Sequence, residues 1–133
     1  MIVLVTGGFD PLHVGHLRMI RDAAAFGRVV VGLNSDAWLV RKKGYAFMPW
    51  EERREILEAV AGVVIVLPFD DSDGTVCDLL SRLQPHYFAN GGDRVEPNEA
   101  EHALCVKIGI TELFEVGGHK VQSSSALVRA RLS

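Results

Sequence analysis

The sequence predicts an α/β fold, a five-stranded parallel sheet with helices on both faces. Short β-branched runs without polar alternation recur along the chain, as strands covered on both sides require. Between them lie stretches with apolar residues at helical spacing, opened by Ser, Asp or Pro and closed by Gly. Glycines and polar residues gather directly after the strand-like runs, which is where such sheets hold ligands.

Met1 to Val5 is the first strand, and Thr6-Gly7-Gly8 ends it with residues that let backbone approach a bound group. Asp10-Pro11 marks a turn, because the residue before proline avoids helical geometry. A helix follows from Val14, with Leu17, Ile20, Ala24 and Phe26 on its apolar side. Arg28 to Leu33 is the second strand and leads into Asn34-Ser35-Asp36. Ser35 is placed to cap a short helix over 37–40. Arg41-Lys42-Lys43-Gly44 ends that helix, with cations at the negative end of the dipole and glycine beyond. Pro49 opens a helix over Trp50 to Ala61, whose apolar side is Ile56, Leu57 and Val60. Val63 to Leu67 is the third strand, and Asp70 to Gly74 is a loop before a helix over Val76 to Leu83. His86 to Ala89 is the fourth strand, ending at Asn90-Gly91-Gly92-Asp93-Arg94. A helix over Pro97 to Ile108, a fifth strand over Glu112 to Val116 and a closing helix over Ser125 to Leu132 complete the chain.

The 133 residues fit a single domain, and 48% apolar content is enough for a core without disulfide or structural metal. A formal charge of −3, with Lys and Arg scattered, argues against a nucleic-acid surface. No apolar run approaches a membrane span or a signal peptide, so a cytoplasmic location without membrane association is expected. Cys77 and Cys105 fall in separate helical stretches and read as reduced core thiols. No metal-ligand spacing occurs.

The most informative stretch is Val3-Leu-Val-Thr-Gly-Gly-Phe-Asp-Pro-Leu-His-Val-Gly-His16. A strand runs into a glycine-rich turn that opens a helix, which makes a natural anion site. Neither G-x-G-x-x-G nor G-x-x-x-x-G-K-[ST] is present, which removes the dehydrogenase and phosphate-loop readings. Instead His13 and His16 stand at the helix start. Far down the chain Gln122-Ser123-Ser124-Ser125 precedes another helix, as an ordinary cap or as a second phosphate cradle.

With His13-Val14-Gly15-His16 behind Gly-Gly-Phe-Asp-Pro, the chain resembles the nucleotidylyltransferase superfamily, the cytidylyltransferase-like α/β enzymes. That superfamily also closes with a Ser/Thr-rich phosphate motif, which Ser123 to Ser125 match, so the resemblance covers essentially the whole chain. Val31 to Asp36, Lys43-Gly44, Pro49 to Arg53, Pro68 to Asp71 and Gly91-Gly92-Asp93 follow the order of the heptose 1-phosphate adenylyltransferase domain. The glycerol-3-phosphate and ethanolamine-phosphate cytidylyltransferases share much of it. Asn90 replaces the lysine usual in the heptose enzymes, and Ser-Ser-Ser stands for Ser-Thr-Thr.

The resemblance implies a Rossmann-like doubly wound sheet in strand order 3-2-1-4-5. It implies transfer of a nucleoside monophosphate from a nucleoside triphosphate to a phosphorylated sugar or alcohol, with Mg²⁺ carried by the triphosphate. A homodimer is also expected. ATP with a heptose-type acceptor is favoured, CTP with glycerol-3-phosphate or a related acceptor is the alternative, and a non-catalytic nucleotide-binding module is the rival of another class. On this reading His13 and His16 donate to the triphosphate, Lys43 holds phosphates from a loop over 41–47, and Arg53 reaches acceptor or triphosphate from its helix. Thr6, Gly7, Gly8 and Phe9 line the α-phosphate. Gly91, Gly92 and Asp93 hold ribose and base, and Ser123, Ser124 and Ser125 cradle the β- and γ-phosphates. Asp10 and Asp36 are candidates for acceptor hydroxyls or for turn capping.

Overall fold

The computed structural model describes residues 1–91 and 98–117. In chain order these form β1 (Ile2–Gly7), α1 (Val14–Ala23), β2 (Arg28–Leu33), α2 (Asp36–Lys43), α3 (Trp50–Glu58), β3 (Val63–Leu67), α4 (Cys77–Leu83), β4 (Tyr87–Gly91), α5 (Glu99–Ile108) and β5 (Thr111–Val116). The five strands are parallel and ordered β3-β2-β1-β4-β5, as expected.

The strand sequences explain the two layers. Side chains alternate across a sheet, so Val3 and Val5 face one way and Leu4 the other. Val3, Val5, Val29, Val31 and Ala89 pack under Met19, Ile20 and Ala23 of α1 and Leu57 of α3. Leu4, Val30 and Phe88 pack under Leu79 and Leu80 of α4 and Cys105 of α5. The central strands β1 and β2 are apolar on both faces because each face carries helices.

The edge strand departs from that rule. Val64 and Ile65 are 60% and 44% exposed, so β3 is not the fully buried strand its composition predicts. Position in the sheet, which composition does not encode, decides this. Two helix faces also differ from expectation. In α1 the buried side is Met19, Ile20 and Ala23, while Leu17 is 42% exposed. In α3 Arg53 and Leu57 face inward and Ile56 is exposed, because the polar interior at the strand ends claims Arg53.

The predicted stops are in place. The Ser35 hydroxyl accepts from the Trp38 amide at the start of α2, and Gly44 ends that helix with φ 88°. Asn98 caps α5 in the same way, and Gly109 closes it with φ 93°. Pro49 is the N-cap of α3 rather than its first residue. At Gly117, φ is 87° and an added Cβ would lie 2.8 Å from the Met19 amide nitrogen. Only glycine lets the end of β5 sit against the backbone of α1. Among the described residues no helix is long and apolar enough to cross a membrane. The expected helix over Ser125 to Leu132 lies outside the described residues.

Candidate functional site

Strand β1 pairs with β2 on one side and β4 on the other, so the strand order reverses beside it. All five parallel strands point their C-terminal ends to one side of the sheet, where a crevice opens at the reversal. The turn after β1 stands there. Gly7 accepts from the Asn34 amide (3.0 Å), and Gly8 accepts from Arg53 Nη1 (2.9 Å). In a trans peptide the N–H points opposite to the C=O. With both carbonyls turned toward β2 and α3, the amides of Gly8 and Phe9 point the other way. Phe9 is buried with φ 49°, a conformation uncommon for a bulky residue and frequent where a turn is held for function.

The two histidines sit at the start of α1 and are locked to it. His13 is the N-cap, with extended backbone, and its Nδ1 accepts from the Gly15 amide (3.1 Å). His16 Nδ1 accepts from the His13 amide (3.2 Å), completing a capping box built from two imidazoles. The rings stack 3.8 Å apart, and Phe9 meets His16 edge-on at 4.8 Å. A nitrogen that accepts from an amide carries no hydrogen. That leaves Nε2 as the ring nitrogen that can carry a hydrogen.

Arg53 is the largest fully buried side chain in the described protein. Nε donates to the Met48 carbonyl (3.0 Å), Nη1 to Gly8 (2.9 Å) and Asn34 (2.8 Å), and Nη2 to Asp36 Oδ1 (2.5 Å). Four of the five guanidinium N–H groups are so engaged. Arg53 thereby bolts together the exits of β1 and β2, the start of α2 and the loop before α3.

Asp10 holds a neighbouring loop, in keeping with the capping alternative. Its carboxylate is fully buried and accepts from the amides of Phe47 (2.6 Å) and Met48 (2.7 Å). Lys43 Nζ lies 3.3 Å from Oδ2 and donates to the Asp10 carbonyl at 2.6 Å. Both carboxylate oxygens of Asp10 accept from the loop after Gly44. Lys43 is the last residue of α2 rather than part of a loop, because α2 runs past Val40 to its glycine cap.

Asp71 is a site residue that sequence reasoning passed over. It is buried, and it accepts from Asn34 Nδ2 (3.1 Å), the Ser35 amide (2.8 Å) and the Ser35 hydroxyl (2.8 Å). It thereby holds the exit of β3 against the exit of β2. The signal was present: paired aspartates directly after a strand, of which only one can face water. Its neighbour Asp70 is the exposed one, held below the usual carboxylate range by the Ser72 hydroxyl and amide.

Asp36 has a half-exposed side chain with one oxygen on Arg53. It lines a shallow cavity of about 220 Å³ with Leu33, Ser35, Trp50, Pro68 and Phe69. Trp50 donates Nε1–H to the Leu33 carbonyl (3.1 Å) and packs against the core. Thr6 is half-buried near the end of β1, and Gly91 ends β4. Gly92, Asp93, Ser123, Ser124 and Ser125 lie outside the described residues. Among the described residues no three His, Cys, Asp or Glu side chains are grouped to hold a metal ion.

Comparisons with known proteins bear on the family and the fold. A family model described as Cytidylyltransferase-like matches residues 4–131. The chain is 35% identical over 121 residues to the Bifunctional protein HldE of Koribacter versatilis, covering 89% of this chain and 23% of that protein. It is 39% identical over 95 residues to the Bifunctional protein HldE of Sulfurimonas denitrificans, covering 69% of this chain and 20% of that one. The chain thus spans about a fifth to a quarter of the length of these relatives. A solved structure, the lipopolysaccharide core biosynthesis protein from Thermoplasma volcanium, shares the fold with TM-score 0.75 and 21% identity, over 90% of this chain and 98% of that one.

Proposed function

The chain belongs to the cytidylyltransferase-like family, and from that premise we propose that it is a nucleotidyltransferase acting on a phosphorylated sugar or alcohol. A phosphate oxygen of the acceptor attacks the α-phosphorus of a nucleoside triphosphate. The new P–O bond forms as the bond from that phosphorus to the bridging β-oxygen breaks, and pyrophosphate leaves. The acceptor phosphate brings its own nucleophilic oxygen, so the protein has to position and to neutralise charge rather than to supply a base.

The observation that carries the reading is the double-histidine cap beside the Gly8–Phe9 turn. It offers Nε2–H donors at a helix N-terminus, where negative charge is favoured. Donors of this kind that meet charge developing in the transition state are each worth about 100- to 1000-fold in rate. The serines complete the reading. Ser123, Ser124 and Ser125 remain our candidates for the β- and γ-phosphates, at the start of the expected closing helix. Gly91, Gly92 and Asp93 remain our candidates for ribose and base. Mg²⁺ would ride mainly on triphosphate oxygens and water rather than in a dedicated protein cage, and the buried Asp10 carboxylate is already taken up by Phe47, Met48 and Lys43.

For the acceptor we favour a heptose 1-phosphate-type sugar with ATP, with CTP and glycerol-3-phosphate as the alternative. Asp36 is the residue placed to meet acceptor hydroxyls, at the cavity floored by Leu33, Trp50 and Phe69. Pyrophosphate release measured for each triphosphate across a panel of sugar and alcohol phosphates tests the proposal. No release with any pair, despite nucleotide binding, would make the protein a regulatory nucleotide-binding module. A thermal-shift comparison of ATP and CTP, each with Mg²⁺, decides the nucleotide, because only a ligand of the native state stabilises it. Stabilisation by CTP alone reverses our preference. Sedimentation at micromolar concentration tests the proposed homodimer.

A further inference from the structure

We propose that Asp10 is a positioning residue that parks Lys43 beside the β1–α1 turn, and that an incoming triphosphate takes the lysine from it. The inference rests on the nucleotidyl-transfer reading and adds a built-in competitor for the anion.

The Lys43 side chain is 12% exposed and that of Asp10 is 0% exposed. A carboxylate this deep needs its charge balanced and its lone pairs filled. The Phe47 and Met48 amides fill the lone pairs from the loop that follows Gly44, at 2.6 and 2.7 Å. They are neutral, so the balancing charge is Lys43, 3.3 Å from Oδ2 and hydrogen-bonded to the Asp10 carbonyl. These two attachments differ in kind. The amides belong to fixed backbone, whereas the ammonium ends a flexible stem with three rotatable donors. When a polyanion arrives at the turn three residues before His13, the ammonium can leave while the two amide bonds keep the loop seated. Lys43 then works from a fixed base, and any anion that recruits it must first displace Asp10. The geometry thereby discriminates by charge: a triphosphate can offset that displacement, and a weakly charged anion cannot.

The test is a double-mutant cycle read by calorimetric binding of tripolyphosphate and of ATP and CTP with Mg²⁺. Lys43→Met should weaken binding. Asp10→Asn, which removes the competing charge, should tighten tripolyphosphate binding by roughly tenfold when Lys43 is present and change it little in the Lys43→Met background. A structural role alone would weaken binding in both backgrounds, and that result, or no change in either, overturns the proposal. If Asp10→Asn does not fold, the wild-type protein with ¹³C-labelled lysine supplies the answer. Tripolyphosphate should shift the Lys43 εCH₂ resonance while the Phe47 and Met48 amides keep their protection from hydrogen exchange. Saturation without a Lys43 shift, or with loss of that protection, refutes the parking. If the wild-type protein binds none of these anions, it is the nucleotide reading that fails.

Discussion

His16 Nδ1 accepts the backbone N–H of His13, so the second histidine of the motif caps the helix that the first one opens. Each ring thus does two jobs with two different nitrogens, one holding the helix and one offering a donor. The jobs separate by substitution. His13→Ala should lose the cap, about 1 kcal/mol of stability, together with about 100- to 1000-fold in pyrophosphate release rate. His13→Asn should restore the denaturation midpoint, since asparagine caps well, and leave the rate low. Recovery of both would show that only the cap matters.

The buried guanidinium leads to a stability prediction. Arg53→Met leaves the carbonyls of Gly8, Asn34 and Met48 without their donor and should cost about 3–5 kcal/mol in urea denaturation. Arg53→Lys should rescue little, because a single ammonium cannot span a fork of planar donors. Near-wild-type stability in either variant would contradict the bolt described for Arg53.

Burial pushes the Cys105 thiol up to about 12 from an ordinary 9.0, with Glu112 adding to the shift. Folding therefore favours the protonated thiol. That contribution is complete below pH 9.0, where the unfolded chain is also protonated, and it is lost as pH rises from there toward 12. Denaturation midpoints should fall across this window, and Cys105→Ala should flatten the part of the fall due to the thiol. At neutral pH a thiol reagent should label the half-buried Cys77 and spare Cys105 in the native protein.

Gly117→Ala should be among the most damaging small substitutions. It combines φ 87° with a methyl 2.8 Å from the Met19 amide nitrogen, and backbone at that distance cannot give way as a side-chain tip can. A loss of about 1–3 kcal/mol is expected in the same denaturation assay. Gly32→Ala is a comparison at a non-strained φ, where the added methyl would meet side chains, Leu79 Cδ2 at 2.5 Å and Thr6 Cγ2 at 3.0 Å, instead of backbone.

The sheet was legible because strands buried on both faces must be apolar throughout, and both Arg28–Leu33 and Val63–Leu67 carry their boundaries in composition alone. The exposure of Val64 and Ile65 was not legible, since an edge strand and a central one can share a sequence. At the site, the motif residues stood out by spacing. The internal contacts of Asp10 and Arg53 did not, because a charged residue, whether after a strand or on a helix, reads alike whether it faces a ligand or the backbone of a neighbouring loop. The buried carbonyls that claim Arg53 become visible only when Gly8, Asn34 and Met48 are brought together in space.

The reversal of strand order beside β1 also constrains when the site can exist. Val3 pairs with Val29, a near neighbour in sequence, and with Tyr87, which is much farther along the chain. Contacts of such long range are established late and slowly as a chain folds. A partly folded protein holding β1, β2 and β3 would have the glycine turn and both histidines but no opposite wall. It should be blind to nucleotide, so bound triphosphate reports on completed assembly of the whole sheet rather than on its first half.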